Sequence, residues 1–303
     1  MATESLLSDE YVIIESITNE FSKEDWASLL EKNDLHHTCP KRIRKSLLFG
    51  IPDSLRGQIW PFLTRANHMD FSTYETLSQR KDKIFEPLIQ KDLARTFPDH
   101  EIFKDTKGPG QSGILRILRA YAQFDNEVGY CQGMAFIAGL LFIHIKSEEL
   151  TFWAFVSIMF DKNWREIFTS GTPKLVKMLD CLSSQLETLL PEVYNHLQTE
   201  NLELTCFSPY FITIFGCKVP LQYGMRVADM FLYEGEQVII SLLLNMLSLK
   251  QRKILRMSFE ELFRYFNSEM AKECFEEFNF ETLLSPITKY VESVDDDYDI
   301  LEG

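Results

Sequence analysis

Asn126-Glu127-Val128-Gly129-Tyr130-Cys131-Gln132-Gly133 runs directly into Met134-Ala135-Phe136-Ile137-Ala138-Gly139-Leu140-Leu141-Phe142-Ile143-His144-Ile145, and the contrast between these two halves decides the class of fold. In the second half Phe136, Ile137, Leu140, Leu141 and Ile143 recur at helical spacing, the pattern of a helix with an apolar face turned to a core. The first half carries the turn formers Asn126 and Gly129, and Gly133 keeps the backbone uncrowded beside the polar Gln132. Helical stretches separated by short polar breaks continue along the chain. Period-two alternation bounded by turn residues is missing, so an all-α protein is expected.

Working outward, the periodicity predicts helices near 73–83, 87–96, 111–124, 133–146, 149–160, 173–199, 208–216, 220–233, 236–249 and 258–268. Ser22-Lys23-Glu24-Asp25 and Ser258-Phe259-Glu260-Glu261 have capping-box form, in which a hydroxyl and a carboxylate satisfy orphan backbone donors, and both should open helices. Gly50-Ile51-Pro52-Asp53 breaks the pattern and marks the start of the main domain, expected over residues 48–285. Residues 1–47 form an extension whose amphipathic stretch, with Trp26, Leu29 and Leu30 on one side, should pack on the main body. Residues 286–303 form an acidic tail.

The chain of 303 residues, 45% hydrophobic and 13% aromatic, can fill a substantial core. A formal charge of -14 argues against a nucleic-acid binder, because that affinity comes from Lys and Arg neutralising phosphates. Six cysteines without tight pairing and an acidic start lacking a signal-peptide core point to reduced thiols and a cytoplasmic location. The longest apolar runs, 134–145 and 238–249, fall short of the roughly 20 residues that a bilayer crossing needs.

Chemistry concentrates on two side chains. Ile89, Asp92 and Arg95 stand three apart, so each lags the previous one by about 60° around a helix. Ile89 can face a core while Arg95 reaches the rim, and Pro98 should end the helix at Phe97. Only one helix separates this segment from Gln132, so short connections can set both side chains on one edge. Phosphoryl transfer from a bound nucleotide asks a protein for a cation on the developing charge and a side chain that orients water, and Arg and Gln are suited to both tasks. Taken singly, each has an ordinary reading: an arginine favoured by the helix dipole, and a glutamine satisfying donors in a first helical turn.

Other signals are weaker. Gly108-Pro109-Gly110-Gln111-Ser112-Gly113 spells a dinucleotide fingerprint, yet no buried strand precedes it, and it is expected to be a loop before a helix. His36, His37 and Cys39 lack the further ligands of a closed zinc site, so no metal is expected. Cys131 has no neighbouring base or cation and should be a packed thiol. Lys41, Arg42, Arg44 and Lys45 are expected to form a solvated helix face. No acid, base and nucleophile at readable spacing suggests a self-contained small-molecule enzyme.

Three blocks together resemble the TBC domain, the family of GTPase-activating proteins for Rab GTPases. They are Gly50-Ile51-Pro52 with Leu55-Arg56-Gly57-Gln58-Ile59-Trp60, then Ile89-x-x-Asp92-x-x-Arg95-Thr96-x-Pro98, then Asn126 through Met134. Ser208-Pro209-Tyr210-Phe211 and the stretch from Arg226 to Glu236 form a weaker fourth block. The likeness spans roughly residues 47–266 and implies a multi-helix TBC domain with no reaction of its own. It would stimulate GTP hydrolysis by a Rab-family GTPase in its GTP form, within vesicle traffic. By this resemblance Arg95 neutralises charge on the transferring γ-phosphoryl and Gln132 orients the attacking water. Arg56, Trp60, Asp92 and Tyr130 become supports. No cofactor belongs to the chain, since GTP and Mg²⁺ travel with the partner, and any membrane contact is peripheral, through the Rab. The alternative is a silent scaffold that binds the GTPase without stimulating it; intact Arg95 and Gln132 weigh against it. Ala228 and Tyr210 depart from the family pattern where tryptophans are usual, which bears on core packing.

Overall fold

The computed structural model describes residues 20–32, 40–68, 70–105 and 108–285, and among these every regular element is a helix. The first half comprises α1 (Lys23–Lys32), α2 (Pro40–Phe49), α3 (Asp53–Leu63), α4 (Phe71–Ser78), α5 (Glu86–Leu93), α6 (Glu101–Lys104), α7 (Pro109–Phe124), α8 (Met134–Ile145) and α9 (Glu148–Phe160). The second comprises α10 (Pro173–Leu189), α11 (Pro191–Thr199), α12 (Ser208–Ile212), α13 (Leu221–Glu234), α14 (Gln237–Leu249), α15 (Gln251–Ile254), α16 (Phe259–Ser268), α17 (Met270–Glu277) and α18 (Phe280–Leu283).

The apolar run Met134–Ile145 is the central post. Met134, Ala135, Ile137, Ala138, Leu140 and Leu141 are all buried, and a helix apolar on nearly every side has to be surrounded. α8 is packed by α3, α5, α7, α9 and α13. Each of its larger side chains contributes roughly 1.5–3 kcal/mol by leaving water. Gly139 lets the Arg95 segment lie close: a Cβ there would stand 3.1 Å from Thr96 Cγ2 and 3.3 Å from the Phe97 ring.

Helix ends follow local chemistry. The Ser22 hydroxyl accepts from the Asp25 amide at 3.1 Å while Asp25 accepts from the Ser22 amide at 2.9 Å, opening α1. Ser258 and Glu261 form the same reciprocal pair at α16. Trp26, Ile43 and Leu47 from α1 and α2 join the same hydrophobic core as the rest. Among the basic residues of α2, Arg42 reaches Asp25 at 2.9 Å and Arg44 reaches Glu234 at 2.7 Å. The cluster stays largely exposed, as expected of a solvated face, and two of its members add surface ion pairs to neighbouring helices.

Several boundaries differ from the periodicity. The stretch 173–199 is two helices, because Leu190 takes φ -135 and ψ 58 ahead of Pro191, and a residue before proline is pushed out of helical geometry. The segment after Ile212 leaves the helix through Ile214 and Phe215, both at positive φ. α6, α15 and α18 hold four residues each, a single turn in which no period can show. The glycine-rich motif lies at the start of α7, where a Cβ on Gly110 would meet the Ile102 carbonyl oxygen at 2.0 Å. Tyr210 is 1% exposed and its hydroxyl donates to the Phe266 carbonyl at 2.5 Å, and Ala228 is also buried, so both departures from the family pattern are absorbed in the core. His36, His37, Cys39 and the acidic tail lie outside the described residues. Among the described ones no cluster of metal-binding side chains occurs and no helix is long and apolar enough to cross a membrane.

Candidate functional site

α5 and the turn that follows it present Ile89, Asp92 and Arg95 in the descending order of burial that a three-residue spacing dictates. Ile89 is fully buried, whereas the Arg95 side chain keeps 49% of its surface. The helix closes at Leu93, sooner than Pro98 alone requires, because the backbone tightens: Arg95 N donates to Asp92 O at 3.1 Å and Thr96 N to Leu93 O at 3.1 Å. The buried Thr96 hydroxyl also donates to Asp92 O at 2.8 Å. Phe97 then adopts φ 44, a left-handed conformation that costs a bulky residue about 1–3 kcal/mol. Its ring is held by Phe103 at 6.2 Å and Phe136 at 5.5 Å, and these contacts offset that strain.

Gln132 stands exposed on the connection between α7 and α8. Glycine is required at two places in this loop. Gly129 has φ 63 with the Phe85 ring 2.2 Å from where a Cβ would sit, and Gly133 has φ 101 at the N-cap of α8. An ion-pair clamp fixes the loop from behind. Arg165 donates to Asp125 at 2.6 and 2.9 Å and to Glu127 at 2.6 Å, and Asp125 also accepts from the Tyr121 hydroxyl at 3.0 Å. Although burial opposes it, the bonds from Arg165 and Tyr121 hold the Asp125 carboxyl below its ordinary value. Cys131 is half-buried, and burial pushes its thiol up, as suits a packing residue rather than a nucleophile.

One carboxylate joins the two segments. Asp92 Oδ1 accepts from Arg95 Nε at 3.0 Å and Nη2 at 2.6 Å. Asp92 Oδ2 accepts from the Tyr130 hydroxyl at 2.6 Å and from the Gly133 amide at 3.2 Å. Burial, and then the Asp92 charge, raise Tyr130 above its ordinary range, so its hydroxyl keeps its proton and donates. Leu88, Lys91, Asp92, Arg95, Tyr130 and Gln132 together line an open concavity of about 280 Å³.

Arg56 and Trp60 lie elsewhere. They belong to a buried knot between α3 and α13, where Asp229 accepts from Arg56 Nε and Nη2, each at 2.9 Å, from Trp60 Nε1 at 2.8 Å and from the Ile51 amide at 3.4 Å. Four donors demand an ionised acceptor, and the Arg56 bonds keep Asp229 charged against the upward push of its complete burial. Both residues thus brace the helices around α8 and touch no part of the concavity. Asp229 escaped the reading of candidate site residues, although a carboxylate within Val227-Ala228-Asp229-Met230-Phe231 signals a buried cationic partner. Arg165 escaped as well; nothing in its neighbourhood along the chain points to the loop it holds.

Comparison with known proteins places this architecture. The "Rab GTPase-activating protein tbc-11" of Caenorhabditis elegans is 30% identical over 273 residues, covering 88% of this chain and 29% of that protein. The human "Ecotropic viral integration site 5 protein homolog" is 30% identical over 262 residues, covering 86% of this chain and 31% of that protein. The chain therefore spans under a third of the length of these curated relatives. Among solved structures, the Chlamydomonas flagellar RabGAP TBC domain superposes with a TM-score of 0.73 at 22% identity, covering 86% of this chain and 89% of the other, and so shares the fold. The sequence model of the Rab-GTPase-TBC domain matches residues 53–255, and the chain belongs to that family.

Proposed function

We propose that this chain accelerates GTP hydrolysis by a Rab-type small GTPase in its GTP form, with Arg95 and Gln132 entering the partner's nucleotide site in trans. The observation that carries this reading is the shared concavity: both side chains stand exposed on it, and Asp92 joins the Arg95 guanidinium to the amide of Gly133, the residue after Gln132. The partner brings GTP and Mg²⁺, so the chain has to supply only charge and orientation.

Arg95 meets Asp92 through Nε and Nη2, which leaves Nη1 to donate to oxygens of the transferring phosphoryl group. A guanidinium stays protonated throughout and neutralises charge without any proton bookkeeping. Gln132 carries an acceptor oxygen and a donor nitrogen on one planar group. It can accept from an attacking water while donating to a neighbouring oxygen, which fixes the line of attack. An arginine supplied in trans contributes about 10³–10⁵ in rate, or roughly 4–7 kcal/mol of barrier.

The test is single-turnover GTP hydrolysis by a panel of Rab GTPases, with the wild-type chain, Arg95→Ala and Gln132→Ala. Stimulation by the wild type that both substitutions abolish is the expected result. Binding without stimulation would leave a scaffold, and turnover of a metabolite with no GTPase present would make the chain an enzyme in its own right.

A further inference from the structure

Arg95 borders a second and larger concavity, of about 410 Å³, on the side away from Gln132. Its apolar wall comes from Phe97, Pro98, Phe136, Val219 and Leu221, with Cys217 at the rim. Nothing in the proposed chemistry uses it. The wall is preformed: Phe97 is held at positive φ, stacked on Phe103 and edge-on to Phe136. At Gly216 the floor is closely packed, since a Cβ there would meet the Thr213 carbonyl oxygen at 2.9 Å and Phe136 Cβ at 3.4 Å. Val219 is 9% exposed, and Leu221 is half-buried on the first turn of α13.

Resting on the function proposed above, we infer that this groove receives an apolar side chain that the GTPase presents beside its nucleotide. The argument is one of position and area. A stable protein contact covers about 800 Å² on each partner, a patch roughly 30 Å across. Arg95 is common to both concavities, so a partner whose nucleotide takes Arg95 and Gln132 also lies over the groove. Rigid aromatic and aliphatic walls that exclude water around a single inserted side chain are the usual form of an energetic anchor. The arginine then acts on phosphate while the groove beside it supplies affinity. Charge around the phosphates is common to every nucleotide-loaded GTPase, whereas the shape of an apolar insertion differs between partners, so the groove discriminates where the fingers do not.

Two measurements test this on a GTPase that the wild-type chain stimulates. In the first, Leu221→Asp should raise the half-saturating activator concentration by about tenfold or more while the plateau hydrolysis rate stays within about twofold. Arg95→Ala should do the reverse and lower the plateau. An unchanged half-saturation for Leu221→Asp, or a fall confined to the plateau, overturns the inference. The second uses the unaltered chain and so does not depend on the variant folding. Among the described cysteines Cys217 is the exposed one, and its alkylation, followed peptide by peptide, should slow about tenfold in the complex with the GTPase, GDP and aluminium fluoride. Alkylation at the free rate within a formed complex overturns the inference. A wild-type chain that stimulates no GTPase would instead remove the function on which the inference rests.

Discussion

Asp92→Asn separates the aiming of Arg95 from its charge. The carboxylate accepts four hydrogen bonds, two from Arg95 on Oδ1 and two from Tyr130 and Gly133 on Oδ2. An amide of the same shape has one acceptor oxygen and must choose a side. Turning its NH₂ toward Tyr130 and Gly133 would strand donors on residues that are themselves buried, at about 1–3 kcal/mol. Turning it toward Arg95 gives up a half-solvated pairing worth about 0–1 kcal/mol. The second arrangement wins, and the guanidinium swings free. Stability should therefore barely change, by about 1 kcal/mol or 2–4 °C in a domain of this size. Re-immobilising a free arginine in the transition state costs up to about 2 kcal/mol of rotamer freedom, so the plateau rate of stimulated hydrolysis should fall about 10–30-fold. Removing the cation outright in Arg95→Ala should cost about 10³–10⁵. Single-turnover hydrolysis at saturating activator, paired with calorimetry, reads both quantities. A plateau equal to or above wild type would refute the idea that Asp92 aims the finger.

Three further outcomes are expected. Asp229→Ala leaves Arg56 charged in the core and should cost about 3–5 kcal/mol in denaturant unfolding, whereas Arg56→Met combined with Asp229→Leu should restore most of it; equal losses in both would show that packing, not charge, dominates. Arg165→Ala should lower stimulated hydrolysis in the wild-type background but have no additional effect once Gln132 is alanine, because the clamp acts through that loop; additive losses would assign Arg165 another role. Burial, reinforced by the nearby Arg56 charge, depresses His144 from 6.5 to about 4. The unfolded chain takes up that proton below pH 6.5 and the folded chain does not until about 4, so stability present above 6.5 declines as pH falls through this window. His144→Phe should flatten that part of a melting-temperature profile, and an unchanged slope would place the titrating group elsewhere.

The helical class and the central post were readable because period and burial coincide in Met134–Ile145, where nearly every side chain is apolar and buried. The grouping of Arg95 with Gln132 was readable for a topological reason: α7 is the one long helix between them, and the single-turn α6, which the spacing did not predict, adds little separation. Short elements escaped because one turn cannot display a period, and the split at Leu190 was missed although Pro191 announces it. The roles of Arg56 and Trp60 turned on residue 229, well over 150 positions away. Distances of that kind are set by packing and leave no trace in local spacing. The same holds for Arg165, whose acceptors lie about 40 positions earlier.

The double attachment at Asp92 couples the Arg95 guanidinium to the backbone beside Gln132. Whatever tilts α5 drags the amide of Gly133 with it, and whatever shifts the loop pulls back on the guanidinium. On the function proposed above, a single change at the acid that yokes them weakens stimulation while both side chains survive. Inspecting only the arginine and the glutamine in a related sequence would then misjudge its competence, and the aspartate three positions ahead of the arginine is the residue to check first.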